Sequence, residues 1–134
     1  MKENILSNEI IGAAIDVHRE LGPGLLESAY EACLAYEFTL RHLPFERQKE
    51  VPVLYKGKLV DCGFRLDFLV DGLVVVELKA VDELARIHDA QVLTYLKLTH
   101  CKLGLLLNFN VVMLGDGIRQ LAHHLQAFLC ALCG

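Results

Sequence analysis

Residues Phe64 to Ala80 read FRLDFLVDGLVVVELKA, and this stretch decides the fold of the chain. It contains two apolar runs, Phe64–Val70 and Leu73–Lys79, separated by Asp71-Gly72, a pair that favours a tight turn. The sequence therefore predicts a β-hairpin here. Charged side chains inside such runs are costly to bury without partners, so these three need a reason to be present: Asp67, Glu77 and Lys79.

The register of this hairpin follows from its apolar pattern. Side chains alternate along a strand, so the apolar positions can share one face, which we predict to be the core face. These positions are Phe64, Leu66, Phe68, Val70, Val74, Val76 and Leu78. The two sets coincide only if Val70 lies opposite Val74, which requires a three-residue loop or a bulge. In that register Asp67 and Glu77 converge beside Lys79 on the opposite face.

Two carboxylates beside a lysine suit a hard divalent cation, because Mg²⁺ prefers oxygen ligands and usually keeps waters for substrate phosphates. A lysine two residues after the second carboxylate can orient or deprotonate an attacking water and offset charge on phosphorus. The alternative is an ion pair of Lys79 with Asp67 or Glu77 on a solvated sheet face. The spacing by itself leaves both interpretations open.

The order Asp67…Glu77-Leu78-Lys79 resembles the signature of the PD-(D/E)XK nuclease-like superfamily. The segment 24–30, GLLESAY, is similar to the G-x-x-E-x-x-Y motif of a small bacterial and archaeal family within it. Further segments that resemble this family are VHRELGPGLLESAYE (17–31), RLDFLV (65–70), VELKA (76–80), AQVLTYLKL (90–98) and KLGLLLNFN (102–110). The resemblance implies a single-domain α/β fold with a restriction-endonuclease-like core, in which helices flank a mixed sheet in the order α-α-β-β-β-α-β, with small C-terminal additions.

The resemblance also implies a catalytic site. In the superfamily pattern Asp67 and Glu77 hold Mg²⁺ or Mn²⁺, and the carbonyl group of Leu78 is a further ligand. Glu27 completes the shell directly or through water, although an acidic residue in the first turn of a helix also favours the helix dipole. Lys79 activates the attacking water.

Four more side chains complete this expected site. Gln91 positions the lysine, a water or a phosphate, and Tyr95, one helical turn later, donates a hydrogen bond or simply packs. Tyr30 is the last residue of the G-x-x-E-x-x-Y match and is expected to support Glu27. His18 is a core histidine, a site residue or a partner for Glu27, and we expect it to support the site.

The chain of 134 residues is expected to form one domain, with a core of about 7–121 and an apolar tail, 122–134. Helix and strand signals predict the following elements: a helix from Ser7 or Asn8 to Leu21, a helix 25–41, strands 48–55, 58–70 and 73–79, a helix 84–99, a strand 102–109, and edge strands 111–114 and 118–121. We expect a bulge at Gly63 and an edge position for the strand with Pro52. Leu26 and Cys33 are expected to face the core.

Composition bounds the cellular context. Hydrophobic residues make up 54% of the chain and the mean hydropathy is +0.38, yet no apolar run reaches the roughly 18 residues of a membrane span. A buried core and a homodimer interface are therefore expected, in a cytoplasmic protein without a secretory signal. The five cysteines are expected to be reduced and mostly buried. Cys130-x-x-Cys133 with His123 and His124 allows a zinc site, but incidental cysteines are favoured.

Charge and motif favour different functions. The 13 basic and 17 acidic residues give a net charge of −4, whereas a surface that binds nucleic acid is usually basic. This balance favours a non-catalytic nucleic-acid- or protein-binding module. The high apolar content instead favours a third interpretation, a dimeric structural subunit of a larger complex. The complete set Glu27, Asp67, Glu77, Lys79 and Gln91 instead predicts a metal-dependent nuclease acting on DNA or RNA.

Overall fold

A computed structural model describes residues 2–123. In chain order its elements are helix α1 (Lys2–Leu21), helix α2 (Glu27–Leu40), strands β1 (Phe45–Glu50), β2 (Val53–Tyr55), β3 (Lys58–Val60), β4 (Arg65–Val70) and β5 (Val74–Lys79), helix α3 (Arg86–Thr99), strand β6 (Leu103–Asn108), a short 3₁₀ helix (Leu114–Gly117) and strand β7 (Ile118–Ala122). Five strands form one mixed sheet in the order β1-β4-β5-β6-β7, and β2 and β3 pair separately. The predicted α/β class, with helices flanking a mixed sheet, is confirmed.

The hairpin register is the one that the apolar pattern predicts. Val70 lies opposite Val74, and a three-residue loop joins β4 to β5. Asp71 and Gly72 adopt positive φ angles of 52° and 66°, and the amide of Leu73 donates to the carbonyl of Val70 at 3.0 Å. Asp and Gly tolerate this left-handed backbone better than other residues, so the loop that sets the register is encoded locally.

The prediction of a single core face is wrong, because both faces of the sheet are covered. Helices α1 and α2 bury one face together with Phe68 and Val76. Helix α3 covers the other face, where Leu66, Leu69 and Val75 are buried. Leu66 thus packs on the opposite side from Phe68, and Phe64 is 46% exposed. The change of side occurs between Leu66 and Phe68, where the ladder of β4 with β5 has ended and where Gln48 of the paired strand β1 has a positive φ of 52°.

The first helix begins five residues before the predicted cap. Ser7 does not cap it: its hydroxyl donates to the carbonyl of Asn4 at 3.0 Å, and the side chain is buried. The second helix begins at Glu27 rather than Leu25. Leu26 and Cys33 are exposed, which corrects their predicted inward orientation.

Residues 45–64 differ most from the predicted strands. β1 is an edge strand as expected, but it ends at Glu50, and Pro52 lies between β1 and β2 because proline cannot donate to a ladder. The predicted strand 58–70 is two strands in different sheets. Gly63, with φ of 74°, lies in the connection between them and is not a bulge within one strand.

The predicted parallel crossover from β5 through α3 to β6 is confirmed, with Lys79 opposite Asn108. Residues 118–122 form an edge strand antiparallel to β6, but 111–114 do not form a strand. A 3₁₀ turn takes their place, since the backbone at Gly117 closely approaches the carbonyl of Asn108. Residues 124–134, including Cys130 and Cys133, lie outside the described part of the chain.

Two further expectations concern cysteines and membrane spans. Of the three cysteines among residues 2–123, all unbridged, only Cys101 is buried, which corrects the expected burial of Cys33 and Cys62. Within the same residues, every helix is too short or too polar to serve as a membrane span.

Candidate active site

Asp67 and Glu77 meet where β4 and β5 diverge. Beyond the pair Phe68–Val76, the ladder is replaced by two side-chain bonds. The amide of Asp67 donates to Oε1 of Glu77 at 3.0 Å, and the amide of Leu78 donates to Oδ2 of Asp67 at 2.8 Å. Each carboxylate therefore caps the backbone of the opposite strand, which holds the two side chains in fixed positions.

One oxygen of each carboxylate is left for other partners. Oδ1 of Asp67 accepts a 3.3 Å hydrogen bond from Nε2 of Gln48. Among residues 2–123, every buried side-chain nitrogen or oxygen atom has a hydrogen-bond partner. Oε2 of Glu77 accepts no hydrogen bond from these residues, so it is not one of the buried atoms. This oxygen of Glu77 therefore reaches solvent, while the residue as a whole is only 6% exposed.

Burial raises the pKa of both carboxyl groups. The pKa of Asp67 rises to about 6, mainly because the group is desolvated, and the charges of Glu27 and Glu31 add to the shift. The pKa of Glu77 rises to about 8, again mainly through burial and then through repulsion from Asp67. Two buried carboxyl groups that oppose each other's ionisation form a site where a cation relieves both costs.

Lys79 supplies the positive charge nearest to this pair. Its charge lowers the pKa of Asp67, of Glu77 and of Glu27. Among residues 2–123, however, no carboxylate oxygen lies within ion-pair distance of its ammonium group, so the alternative of a closed surface ion pair is not formed. The carbonyl of Lys79 accepts from the amide of Phe109 at 2.9 Å, which anchors the backbone of the lysine.

Glu27 lies at the first position of α2 and approaches the pair from the neighbouring helix. Its pKa is raised, first by desolvation, and the charges of Lys79 and His88 oppose the rise. Residues 2–123 contain no group of three His, Cys, Asp or Glu side chains placed to hold one metal ion. The structure thus brings Asp67 and Glu77 together, with Glu27 near but outside their cluster.

Tyr30 holds the loop that precedes Glu27. Its buried hydroxyl donates to the carbonyl of Gly22 at 2.6 Å and accepts from the amide of Leu25 at 3.2 Å. Its ring stacks on Phe109 with centroids 4.6 Å apart. Tyr30 therefore connects the start of α2 to β6, which is a supporting role for Glu27.

His18 lies in the core away from the carboxylates. Its Nε2–H donates to the carbonyl of Val111 at 2.7 Å, and its ring lies 6.3 Å from that of Phe109. This bond ties α1 to the segment after β6. Of the three interpretations of His18, this geometry matches the core histidine and not the expected supporting role.

Helix α3 carries both of the residues expected from it, Gln91 and Tyr95, one turn apart. Burial raises the pKa of Tyr95, and the charges of Glu77 and Asp67 raise it further. Gln91, one turn earlier, is exposed, and its side chain makes no hydrogen bond with residues 2–123. His88 is occupied locally, since its Nδ1 accepts from the amide of Ala85 at 2.9 Å.

A polar chain behind Asp67 was not predicted from the sequence. Nε2 of Gln48 donates both to Oε1 of Glu31 and to Oδ1 of Asp67. The other oxygen of Glu31 accepts from Nε of Arg47 at 2.9 Å, and only 13% of the Glu31 side chain is exposed. The spacing of Glu31 one turn after Glu27 was the available signal; nothing local indicated Gln48.

Gln48 also has an unusual backbone, with φ of 52° inside β1. A left-handed backbone costs a residue with a Cβ roughly 1–2 kcal/mol, and such costs concentrate at functional sites. We expect Gln48→Gly to be more stable than Gln48→Ala by about 1 kcal/mol, since both remove the amide but only glycine adopts this φ freely. Urea unfolding of the two variants measures the difference. An alanine variant at least as stable as the glycine variant would contradict it.

A family model described as the PD-(D/E)XK nuclease superfamily matches residues 4–121. Comparison with curated proteins and with solved structures finds no match. The matched range includes the whole sheet and every site residue discussed above, except for the last residue of β7. From this match, and from an α/β fold in which Asp67 and Glu77 converge beside Lys79, it follows that the chain belongs to the PD-(D/E)XK nuclease superfamily.

Proposed function

We propose that this protein is a Mg²⁺- or Mn²⁺-dependent phosphodiesterase of the G-x-x-E-x-x-Y type that hydrolyses phosphodiester bonds in nucleic acid. Membership of a nuclease superfamily supports nucleic acid as the substrate, and divalent metals are typical of that superfamily. The observation that carries the proposal is the capped pair Asp67–Glu77, with raised pKa values and Lys79 beside it.

The donor set fits a hard divalent cation. Asp67, Glu77 and the carbonyl of Leu78 would hold it, and Glu27 would contribute through water, since it lies outside their cluster. Bound there, the cation would polarise the phosphate and lower the pKa of a bound water. The two main-chain hydrogen bonds keep the carboxylates from moving when the substrate arrives, which is the protein's contribution to a fixed site.

Lys79 would act on the attacking water and on the phosphoryl oxygens. Lys79 is half-buried, and among residues 2–123 no carboxylate oxygen lies within ion-pair distance of its ammonium group, so its charge is available to the substrate. Tyr95, whose pKa the charges of both carboxylates raise, would donate a hydrogen bond to a phosphate or water. Gln91 is exposed on the same helix and would contact substrate that extends out of the site.

A cleavage panel tests the proposal. Single- and double-stranded DNA and RNA are incubated with the full chain in Mg²⁺, in Mn²⁺ and in EDTA, and the products are resolved on denaturing gels. We expect metal-dependent cleavage of at least one substrate. Binding without cleavage under every condition would favour the second candidate, a non-catalytic module, which the net charge of −4 supports.

We also propose that the protein is a homodimer of the cytoplasm, where the unbridged Cys33, Cys62 and Cys101 would stay reduced. An open groove carries apolar and oppositely charged side chains together: Lys2, Ile5, Leu6, Glu9, Leu43, Pro44, Asp71 and Leu73. Such a surface can pair with its own copy. Light scattering at micromolar concentration should give twice the mass of the 15.0 kDa chain, and a monomer mass would reject the dimer.

A further inference from the structure

Strands β2 and β3 form a ribbon, residues 53–60, that is not part of the main sheet. Its pairs are Val53–Val60, Leu54–Leu59 and Tyr55–Lys58, closed by a turn at Lys56-Gly57. Four large side chains on it are exposed: Leu54 and Tyr55 at 61%, Leu59 at 67% and Val60 at 37%. A bare two-stranded ribbon is marginally stable, and a cluster of exposed apolar side chains indicates a binding surface.

The ribbon leaves the sheet at the end that carries the site. At its base Val51 is buried, and its amide donates to the carbonyl of Phe64 at 2.9 Å. Phe64 in turn lies edge-on to the ring of Tyr95, with centroids 6.3 Å apart. Asp67 lies on β4 only three residues after Phe64, so a ligand that occupies the site and continues outward can reach the ribbon.

The charge of this region is opposite to that of the rest of the chain. Residues 47–65 contain five basic residues (Arg47, Lys49, Lys56, Lys58 and Arg65) and two acidic ones (Glu50 and Asp61), a net charge of +3. The other residues therefore carry a net charge of −7, which gives the whole chain its net charge of −4. The acidic average of the whole chain conceals a basic segment beside the site.

Within this segment the ribbon carries the basic groups that no carboxylate neutralises. Arg47, Lys49 and Arg65 pair with acidic side chains. Among residues 2–123, Lys56 and Lys58 make no ion pair, and Nζ of Lys56 lies 5.4 Å above the ring of Tyr55. An exposed aromatic ring flanked by two available cations is the combination that binds a nucleic acid strand, through base stacking and phosphate contacts.

We propose that the ribbon is a substrate-binding arm for a nucleic acid strand with unpaired bases. Lys56 and Lys58 contact phosphates, and Tyr55 stacks on a base beyond the scissile bond. This inference rests on the proposed function, because it takes the strand to run from the carboxylate pair to the ribbon. A second copy of the chain is a poorer occupant, since a symmetric contact at the tip would bring the lysines of both copies together.

The test measures binding of a fluorescein-labelled single strand of DNA or RNA by anisotropy, with Lys79→Ala as a background in which cleavage is expected to be about 10²-fold slower. Adding Lys56→Ala and Lys58→Ala should weaken binding about tenfold and reduce the slope of log affinity against log salt by about 1.4, the value for two phosphates on a single strand. The matched control, Lys97→Ala with Lys102→Ala, removes the same charge from two exposed positions near the end of α3 and the start of β6, away from the ribbon. Equal losses in both pairs, or none in the ribbon pair, would overturn the arm.

Two variants of Tyr55 distinguish the contribution of base stacking to binding from that of the charged side chains. Tyr55→Ala should weaken single-strand binding about fivefold or more, whereas Tyr55→Phe keeps the ring and should bind like the parent. A duplex of the same sequence, whose bases are paired, should be affected less by Tyr55→Ala. A phenylalanine variant as weak as the alanine variant would exclude stacking.

A small diester distinguishes failure of the arm from failure of the proposed function. With an otherwise wild-type chain, the ribbon variants should hydrolyse bis(4-nitrophenyl) phosphate at the wild-type rate, because that substrate cannot reach the ribbon. If the wild type cleaves neither this diester nor nucleic acid, the proposed function fails while the binding result still decides the arm. A change in light-scattering mass for the ribbon variants would assign the ribbon to self-association and overturn the proposal.

Discussion

Replacing Lys79 with alanine should lower the turnover of nucleic acid by about 10²-fold or more and leave substrate affinity nearly unchanged. The reason is the position of the Lys79 ammonium group. It affects the pKa of Asp67, Glu77 and Glu27 without pairing directly with any of them, so it is available for charge that develops only during the reaction. An interaction made only in the transition state changes the rate constant and not the binding constant.

Single-turnover kinetics and anisotropy with the same oligonucleotide measure the two quantities separately. Lys102→Ala is the control, since Lys102 is exposed beside the start of β6, at the far end of β5 from Lys79. A Lys79→Ala protein that only binds more weakly, with a salt slope reduced by about one unit and no turnover to lose in the wild type, would show that the lysine is a phosphate contact of a binding module.

Replacing Glu77 with glutamine should make the metal-free protein more stable at pH 8 and remove its response to metal. The pKa of Glu77 is about 8 in the folded chain against an ordinary value of 4.5. Between these two values the folded state keeps a proton that the unfolded state has lost. Stability therefore falls as the pH rises through this window, by an amount on the order of a few kcal/mol.

Glutamine has no proton to lose, so its stability should not fall in that window. Asp67 shows the same direction over a narrower range, from its ordinary 3.8 to about 6, so Asp67→Asn should differ from the wild type at lower pH. Urea unfolding in EDTA from pH 4.5 to pH 9 measures both curves. The control is Glu83→Gln, an exposed carboxylate in the loop before α3, which should follow the wild type.

Adding a divalent metal should reverse the order of stability between the wild type and the two carboxylate variants. A cation that binds only the folded wild type stabilises it by mass action, whereas Glu77→Gln and Asp67→Asn have each lost a charged ligand. We expect Mn²⁺ to raise the wild-type melting temperature at pH 8 and to leave both variants nearly unchanged. Equal Mn²⁺ affinity by calorimetry in all three proteins, or a Glu77→Gln curve that follows the wild type with pH, would exclude the carboxylate site.

Some of the site could be predicted because it depends on neighbours in sequence. The register of Val70 with Val74 follows from strand alternation and from the residues of one short loop, and this register by itself brings Asp67 to Glu77. The crossover from Lys79 to β6 follows from an amphipathic helix between two apolar runs. The superfamily resemblance extends over the same segments, and the family match confirms it.

Other parts depend on contacts between residues far apart in the chain. Gln48 reaches Asp67 only because β1 pairs with β4, and Glu31 joins them only because α2 packs across that sheet edge. No local pattern encodes these contacts. The separate ribbon could not be predicted for a related reason. The interruption at Gly63 is compatible with a bulge in one strand, and only the sheet geometry decides that the chain changes partners there.

The sequence by itself determined the hairpin, its loop, the meeting of the two carboxylates and the place of Lys79, because side-chain alternation and turn chemistry act over a few residues. Only the tertiary structure decided that both faces of the sheet are buried, which desolvates Glu77 and raises its pKa to about 8. It also decided that His18 belongs to the core and that Glu27 lies outside the carboxylate cluster. Burial depends on what packs from elsewhere in the chain, and the charge state of the site follows from burial.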